Sequence, residues 1–244
     1  MKKIFSLLLL CLVFAGCSMK RPSSQSSAAT VGDKDKNRSD VVARMDDSAK
    51  ILDELMAAED NAVPEKILAR AKCVMVVPDM IKGGFVFGGR HGRGVVTCRN
   101  AQGWSAPAFS TISGGSWGAQ IGVESVDLVL LFMTDQGAQR LLQDNFKLGA
   151  EASIAAGPLG RAASADTDVK LNSEVLTYSR AKGLFAGLEL TGASVRPDDD
   201  STVAIYGSKK DFKTILDGGV TSPTGAQNFL STVRKQFREA RNRD

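Results

Sequence analysis

The chain of 244 residues carries 31 Lys and Arg against 27 Asp and Glu, and 43% of it is hydrophobic. That apolar content supports a packed core and excludes a chain too polar to fold. The near balance of charge gives no argument for a nucleic-acid partner.

The first element is a secretory signal. Met1-Lys2-Lys3 precedes an apolar run from Ile4 to Phe14, and Ala15-Gly16-Cys17 follows. A short basic stretch, a short apolar stretch and small residues before a cut are its parts. The run is too short to span a bilayer, which takes roughly 20 apolar residues. Cys17 after Ala15-Gly16 resembles a lipobox, in which the cysteine is acylated and becomes the first mature residue; Phe14 departs from the usual leucine. Ser18 follows, and no aspartate of the kind that marks inner-membrane retention stands there. The expectation is a bacterial lipoprotein with signal peptide 1–16, lipidated at Cys17 and held at the outer membrane facing the periplasm. Processing would remove Lys2 and Lys3, leaving 29 basic against 27 acidic side chains.

Residues 17–38 are polar and small and read as a flexible tether with an r.m.s. reach of roughly 25 Å. A domain is expected over 39–244. A helix should start after Ser39, since Val41, Met45, Ser48, Leu52, Leu55 and Met56 recur at steps of three and four. Pro64 suits the first turn of a short helix over 65–71. Cys73 to Val77 reads as a strand stopped by Pro78. The segments 84–87 and 94–98 read as a hairpin around a glycine-rich turn. Residues 119–124 alternate, 127–133 read as a buried strand, and 135–142 as a short helix. From Lys147 to Ala156 polar and apolar residues alternate as in a half-buried strand. Strands follow at about 168–180 and 184–195, then turns and short helix to 216. A last helix buries Phe229, Val233, Phe237 and Ala240, leaving a basic side of Arg234, Lys235, Arg238 and Arg241. The fold class is α+β: a mainly antiparallel sheet or barrel-like core with N-terminal helices and a C-terminal helix.

With Cys11 in the signal and Cys17 lipidated, Cys73 and Cys98 remain. In an oxidising compartment they are candidates for a disulfide worth roughly 3 kcal/mol; two buried thiols in separate strands are the alternative. Two cysteines and one histidine, His91, make too few ligands for a structural zinc site, and no cofactor is implied.

Two motifs carry candidate chemistry. Gly114-Gly115-Ser116-Trp117-Gly118 satisfies G-x-S-x-G, which in a nucleophile elbow needs a strand-to-helix turn and a later histidine. Here the only histidine lies upstream, so a serine hydrolase using Ser116 is the weakest reading. Gly88-Gly89-Arg90-His91-Gly92-Arg93-Gly94 is basic and glycine-rich. Glycines let backbone N–H groups approach an anion, and arginines supply charge-assisted bonds. A solvated hairpin turn is the bland alternative. The basic helix at the end could lie on an anionic membrane or simply present a solvated face.

An ordered set of short motifs points to one family. Val77-Pro78 with Lys82-Gly83-Gly84-Phe85, the stretch to Gly94-Val95-Val96, and Trp104-Ser105-Ala106-Pro107 come first. Gly118-Ala119-Gln120-Ile121-Gly122, Asp127, Gly157-Pro158-Leu159-Gly160-Arg161, Tyr178-Ser179, Lys182 to Gly187 and Tyr206-Gly207 follow. Together they resemble the SYLF domain of eukaryotic endocytic adaptors, over about residues 40–240. The resemblance implies a non-enzymatic lipid-binding domain. Eukaryotic members bind phosphoinositides and some bind actin; a bacterial envelope transposes this to an anionic phospholipid or a lipid A phosphate. Lys82, Arg90, His91, Arg93 and Lys182 are the expected lipid contacts, and membrane phospholipids the expected partners. An envelope protein partner, with the lipid as tether only, is the alternative reading.

Overall fold

The computed structural model describes residues 31–57, 62–84, 87–117, 122–160, 173–181, 184–188 and 190–243. The expected signal over 1–16, Cys17, Lys182 and the first part of the strand expected from 168 lie outside the described residues.

Helix α1 (Val31–Ala57) begins eight residues before the expected start at Ser39, so 31–38, assigned to the tether by composition, are helical. The early turns are held from outside: Arg38 donates to the carbonyl of Ile205 at 3.1 Å. Such a contact is invisible to a composition argument. Further along, Val41, Met45, Ser48, Leu52 and Leu55 are buried, as their spacing requires. Helix α2 (Glu65–Arg70) follows Pro64.

Strands β1 (Cys73–Gly84) and β2 (Phe87–Asn100) are the long centre of the sheet. After them come β3 (Gly103–Trp104), β4 (Ala108–Trp117), β5 (Gly122–Phe132), α3 (Asp135–Leu141), β6 (Phe146–Lys147) and β7 (Ile154–Ala156). Then follow β8 (Val175–Ala181), β9 (Leu184–Gly187) and β10 (Ser194–Pro197). The chain ends with α4 (Asp199–Tyr206), α5 (Phe212–Leu216), a 3-10 turn at Thr224–Ala226 and α6 (Gln227–Arg243).

The strand order is β6-β10-β4-β2-β1-β5-β8-β7, with β3 beside β2 and β9 beside β8. Every pair is antiparallel except β7–β8. The sheet curls. Phe146 on edge strand β6 and Phe132 on β5 stand five strand positions apart, yet their rings are 6.2 Å apart. In a flat sheet that separation would be roughly 24 Å. The expected α+β architecture with a barrel-like sheet is therefore present.

Alternation along the strands feeds two cores. Val74, Val76, Val95, Phe109, Val129 and Leu131 pack under α1, α2 and α6. Met75, Val77, Val96, Leu128, Leu130 and Phe132 fill the inside of the curl with residues of α3 and α5. Helices α1 and α6 run parallel: Asn228 donates to Asp46 at 2.9 Å and Gln236 to Asp53 at 2.6 Å. Phe229, Val233 and Phe237 of α6 are buried and Arg234, Lys235 and Arg238 exposed.

Three local readings are corrected. Pro78 does not stop β1; the strand passes through it on a bulge, with the register shifting between Val77 and Met80 and Asp79 at φ 48°. A bulge is where a sheet tolerates proline. The alternation from Lys147 to Ala156 is not one strand. Leu148 and Ala152 are both buried on either side of a turn at Gly149 (φ 81°), which imitates a period of two. Third, the glycine-rich stretch 88–94 is not a turn but part of β2.

Cys73 and Cys98 are directly opposed in the β1–β2 register and joined by a disulfide.

Candidate functional site

The glycine-rich half of β2 lies between β1 and β4, ladder-paired to β4 from Phe87 to Gly94 and to β1 from Gly88 to His91, with the β1 bulge opposite Gly92 to Gly94. From Gly88 to His91 the strand is paired on both sides, so its backbone N–H groups there are used within the sheet. They do not form the anion cradle that a glycine-rich turn could offer, and the side chains must carry any recognition.

Strand alternation separates those side chains. Val95 packs under the helices and Val96 inside the curl, so His91 and Arg93 share the helix side while Arg90 projects to the opposite side. Gly92 fits that assignment: a Cβ there would meet Val77 at 2.5 Å, inside the curl. On β1, Lys82 is in register with Arg90 and with Glu124 of β5. The five expected contacts therefore do not form one cluster. Lys82 and Arg90 are neighbours on one face, His91 and Arg93 lie on the other, and Lys182 is outside the described residues.

Arg90 is half-buried and donates to the carbonyl of Gly115 at 3.3 Å. Burial pulls its guanidinium below the ordinary value, though such a group stays charged. Arg93 is committed elsewhere. Its Nε is 3.8 Å from Asp198, which Arg44 of α1 also approaches at 3.7 Å. Asp198 is only 6% exposed and accepts from the Ser201 N–H at 3.1 Å as the N-cap of α4. Arg93 thus neutralises a buried cap and joins β2 to α1 and α4.

An open cleft of about 410 Å³ lies between α1 and this end of the sheet, with Asp40, Asp47, Asp79, Arg44, His91 and Arg93 among its lining. Three carboxylates oppose two guanidinium groups, both already facing Asp198. The cleft suits an anion poorly; on the other face Lys82 and Arg90 share a rung with one carboxylate, Glu124. Among the described residues no group of His, Cys, Asp and Glu could hold a metal ion, and no helix is long and apolar enough to cross a membrane.

Sequence reasoning missed the ties that set the cleft. Asp127 accepts from Arg180 Nε at 2.8 Å and from the Asp79 N–H at 3.1 Å. Arg180 also pairs with Glu54 of α1. Only the spatial neighbours identify these as partners, since they are scattered from 54 to 180.

The G-x-S-x-G reading fails on geometry. Ser116 lies within β4, and the next described element is another strand, β5, so among the described residues no helix follows it as an elbow requires. The ladder pairs His91 with Ser113, three residues from Ser116 and so about 10 Å along the strand.

These features define an α+β domain on one curled sheet, with Lys82 and Arg90 side by side on one face and, among the described residues, no nucleophile elbow. Residues 113–236 match the family described as Ysc84, Las17-binding protein actin regulator. Protein YSC84 of Saccharomyces cerevisiae is 34% identical over 181 residues, 72% of this chain and 38% of its own length. An SH3 domain-containing protein of Schizosaccharomyces pombe is 36% identical over 181 residues, 72% of this chain and 42% of its own. SH3 domain-containing YSC84-like protein 1 of Bos taurus is 31% identical over 176 residues, 71% and 51% respectively. The chain belongs to the Ysc84, or SYLF, family. It spans between about two fifths and one half of the length of these relatives.

Proposed function

We propose that this chain is a membrane-anchored bacterial lipoprotein whose domain binds anionic phospholipid head groups without catalysing a reaction. Acyl chains on Cys17 supply the anchor, and the domain faces the periplasm from the outer membrane. The observation that carries the binding role is the register of Lys82 with Arg90. Glu124 stands on the other side of Lys82 in the same rung, so the rung carries two cations to one carboxylate and keeps a net positive charge. Phosphate suits the pair, because arginine and lysine both bind it through charge-assisted bonds.

The test uses the mature chain with Cys17→Ser, which cannot be acylated, floated with phosphatidylcholine vesicles with and without phosphatidylglycerol. Recovery should require the anionic lipid, fall with added salt, and fall again in Lys82→Gln/Arg90→Gln. Equal recovery on both vesicles, indifferent to salt, would refute the reading.

A second reading rests on the relatives' names. The family is described as Las17-binding, and LAS seventeen-binding protein 3 carries a protein partner in its name. Here the domain would hold an envelope protein while the lipid serves as tether. Crosslinking in cells that traps one protein, joined to absence of vesicle binding, would favour it.

A further inference from the structure

Charge is unevenly distributed over the helices. Together α2 and α6 carry seven Lys and Arg against two Glu. Helix α1 carries five against seven acids, and the whole chain 31 against 27. Going round α6, Asn228 and Gln236 bond to α1, while Phe229, Val233 and Phe237 are buried in the core. The helical period then puts Arg234 and Arg238 on the flank away from α1, where α2 packs. Arg99 fixes that arrangement. It donates to the carbonyls of Ala71 at 2.9 Å and Leu68 at 3.3 Å, at the end of α2, and to that of Phe237 at 3.5 Å. Its guanidinium also lies 4.8 Å from the centre of the Trp104 ring. Arg70 therefore stands beside the turn of α6 that bears Arg234 and Arg238.

Lys66, Arg70, Arg234, Lys235 and Arg238 are all exposed. None of them is in an ion pair among the described residues. Elsewhere on the surface Lys50, Lys72, Lys209 and Lys213 each lie beside a carboxylate. Arg234 and Arg238 are also four residues apart, a like-charge spacing that weakens a helix.

What the face lacks identifies its occupant. The large apolar side chains exposed among the described residues are Ile81, Val123, Leu184 and Val203, and none of them is on α2 or α6. The face thus has no buried anchor of the kind that centres a protein interface, and no exposed aromatic ring for a base to stack on. Two helices side by side offer a row of cations instead of a pocket. The match is a plane of many spaced negative charges, which is the head-group layer of an anionic bilayer. There each Lys or Arg is worth roughly 1 kcal/mol, or about fivefold in binding. The anchor reaches this plane. Helix α1 runs parallel to α6 in the same layer, and the thirteen residues between Cys17 and Val31 span at most about 45 Å.

We propose that the exposed side of α2 and α6 is a docking face for an anionic bilayer, with Lys66, Arg70, Arg234, Lys235 and Arg238 at the phosphates and no apolar insertion. The proposal goes beyond the Lys82–Arg90 contact and does not need it. Those two side chains project from the opposite side of the sheet, so the two readings fail separately.

The experiment uses the mature Cys17→Ser chain with vesicles of phosphatidylcholine and phosphatidylglycerol. Arg234→Gln/Lys235→Gln/Arg238→Gln should weaken binding about a hundredfold at low salt. These side chains are exposed, so the circular dichroism spectrum should be unchanged. Arg234→Lys/Arg238→Lys should bind as the unmodified chain does, since a charged plane does not require the planar fork of arginine. Orientation is read with lipid in excess, so that each chain meets one vesicle. A fluorophore on Ser231→Cys, exposed on α6 and the only free thiol, should transfer energy to an acceptor on the head groups. The same fluorophore on Lys213→Cys of α5, on the other side of the sheet, should transfer less.

Full binding by the triple glutamine variant, with loss in Lys82→Gln/Arg90→Gln, overturns the helix face and leaves the Lys82–Arg90 reading standing. The reverse pattern supports the helix face and overturns that reading. Stronger transfer from position 213 overturns the helix face. A lysine variant as weak as the glutamine variant overturns docking on a charged plane in favour of a shaped anion site. Tighter binding to a DNA duplex than to the vesicles overturns the bilayer as occupant. A chain that binds no vesicle overturns both readings.

Discussion

Arg180 and Asp127 face each other across the β5–β8 ladder, and the guanidinium gives two hydrogen bonds to one carboxylate oxygen, at 2.8 and 2.5 Å. The same carboxylate holds the bulge residue Asp79 through its other oxygen, and Arg180 reaches α1 at Glu54. One pair thus joins the bulge that lets β1 pass Pro78 to the helix that lies over it. Arg180→Ala should cost about 1.5–3 kcal/mol, the range for hydrogen bonds to charged groups. Arg180→Lys should recover only part, because an ammonium lacks the planar fork. Denaturant titration measures both. Asp127→Ala combined with Arg180→Ala should fall short of the sum of the single losses; strict additivity would mean the two residues act separately.

Gly92 and Gly89 differ by only three positions in one strand and should respond in opposite directions. A Cβ on Gly92 would sit 2.5 Å from Val77 and 3.1 Å from Met80. Gly92→Ala should lose about 1–3 kcal/mol by overpacking. Gly89→Ala meets nothing nearer than 4.0 Å and should be neutral or stabilising by up to about 1 kcal/mol. Thermal melts of the two variants give the comparison.

The disulfide links strands that are already paired, so its contribution lies mainly in the unfolded chain. Cys73→Ser/Cys98→Ser should lower stability by about 2–4 kcal/mol. A reductant should shift the unfolding midpoint of the unmodified chain in the same direction and leave that of the double variant in place.

Asp211 caps α5, accepting from the Thr214 N–H and hydroxyl, each at 2.8 Å. The hydroxyl and then the backbone bond hold its carboxyl below the usual aspartate range. A depressed folded value means that the stabilisation is present above the unfolded aspartate pKa and disappears as pH falls through the folded one. Asp211→Ala should therefore cost about 0.5–2 kcal/mol near neutrality, and its unfolding midpoint should converge with that of the unmodified chain in acid. A gap constant with pH would contradict this assignment.

The legible parts of the fold were those whose residues are buried on one side by a regular element. Phe229, Val233 and Phe237 mark α6 because a helix brings every third or fourth side chain to the same neighbour. Thr134 caps α3 through the Gly137 N–H, close to where its start was expected. The apolar run from Leu128 to Phe132 is a strand buried on both faces. The family motifs were equally legible, being short and ordered along the chain.

Glycine has no side chain and so leaves no periodicity. Whether residues 88–94 turn or extend depended on β1 and β4 arriving on either side, and that decided which face Lys82, Arg90, His91 and Arg93 occupy. Leu148 and Ala152 show the converse, an alternation produced by a turn at Gly149. Composition, periodicity and short ordered motifs sufficed for the α+β class, the family, and which segments are apolar enough to be buried. Strand pairing and helix placement were needed to show that Arg93 faces Asp198, that Lys82 stands beside Arg90, and that Ile81 and Val123 are exposed. Those outcomes depend on long-range pairing and on the position of α1, and no local pattern encodes the distance between residues far apart in the chain.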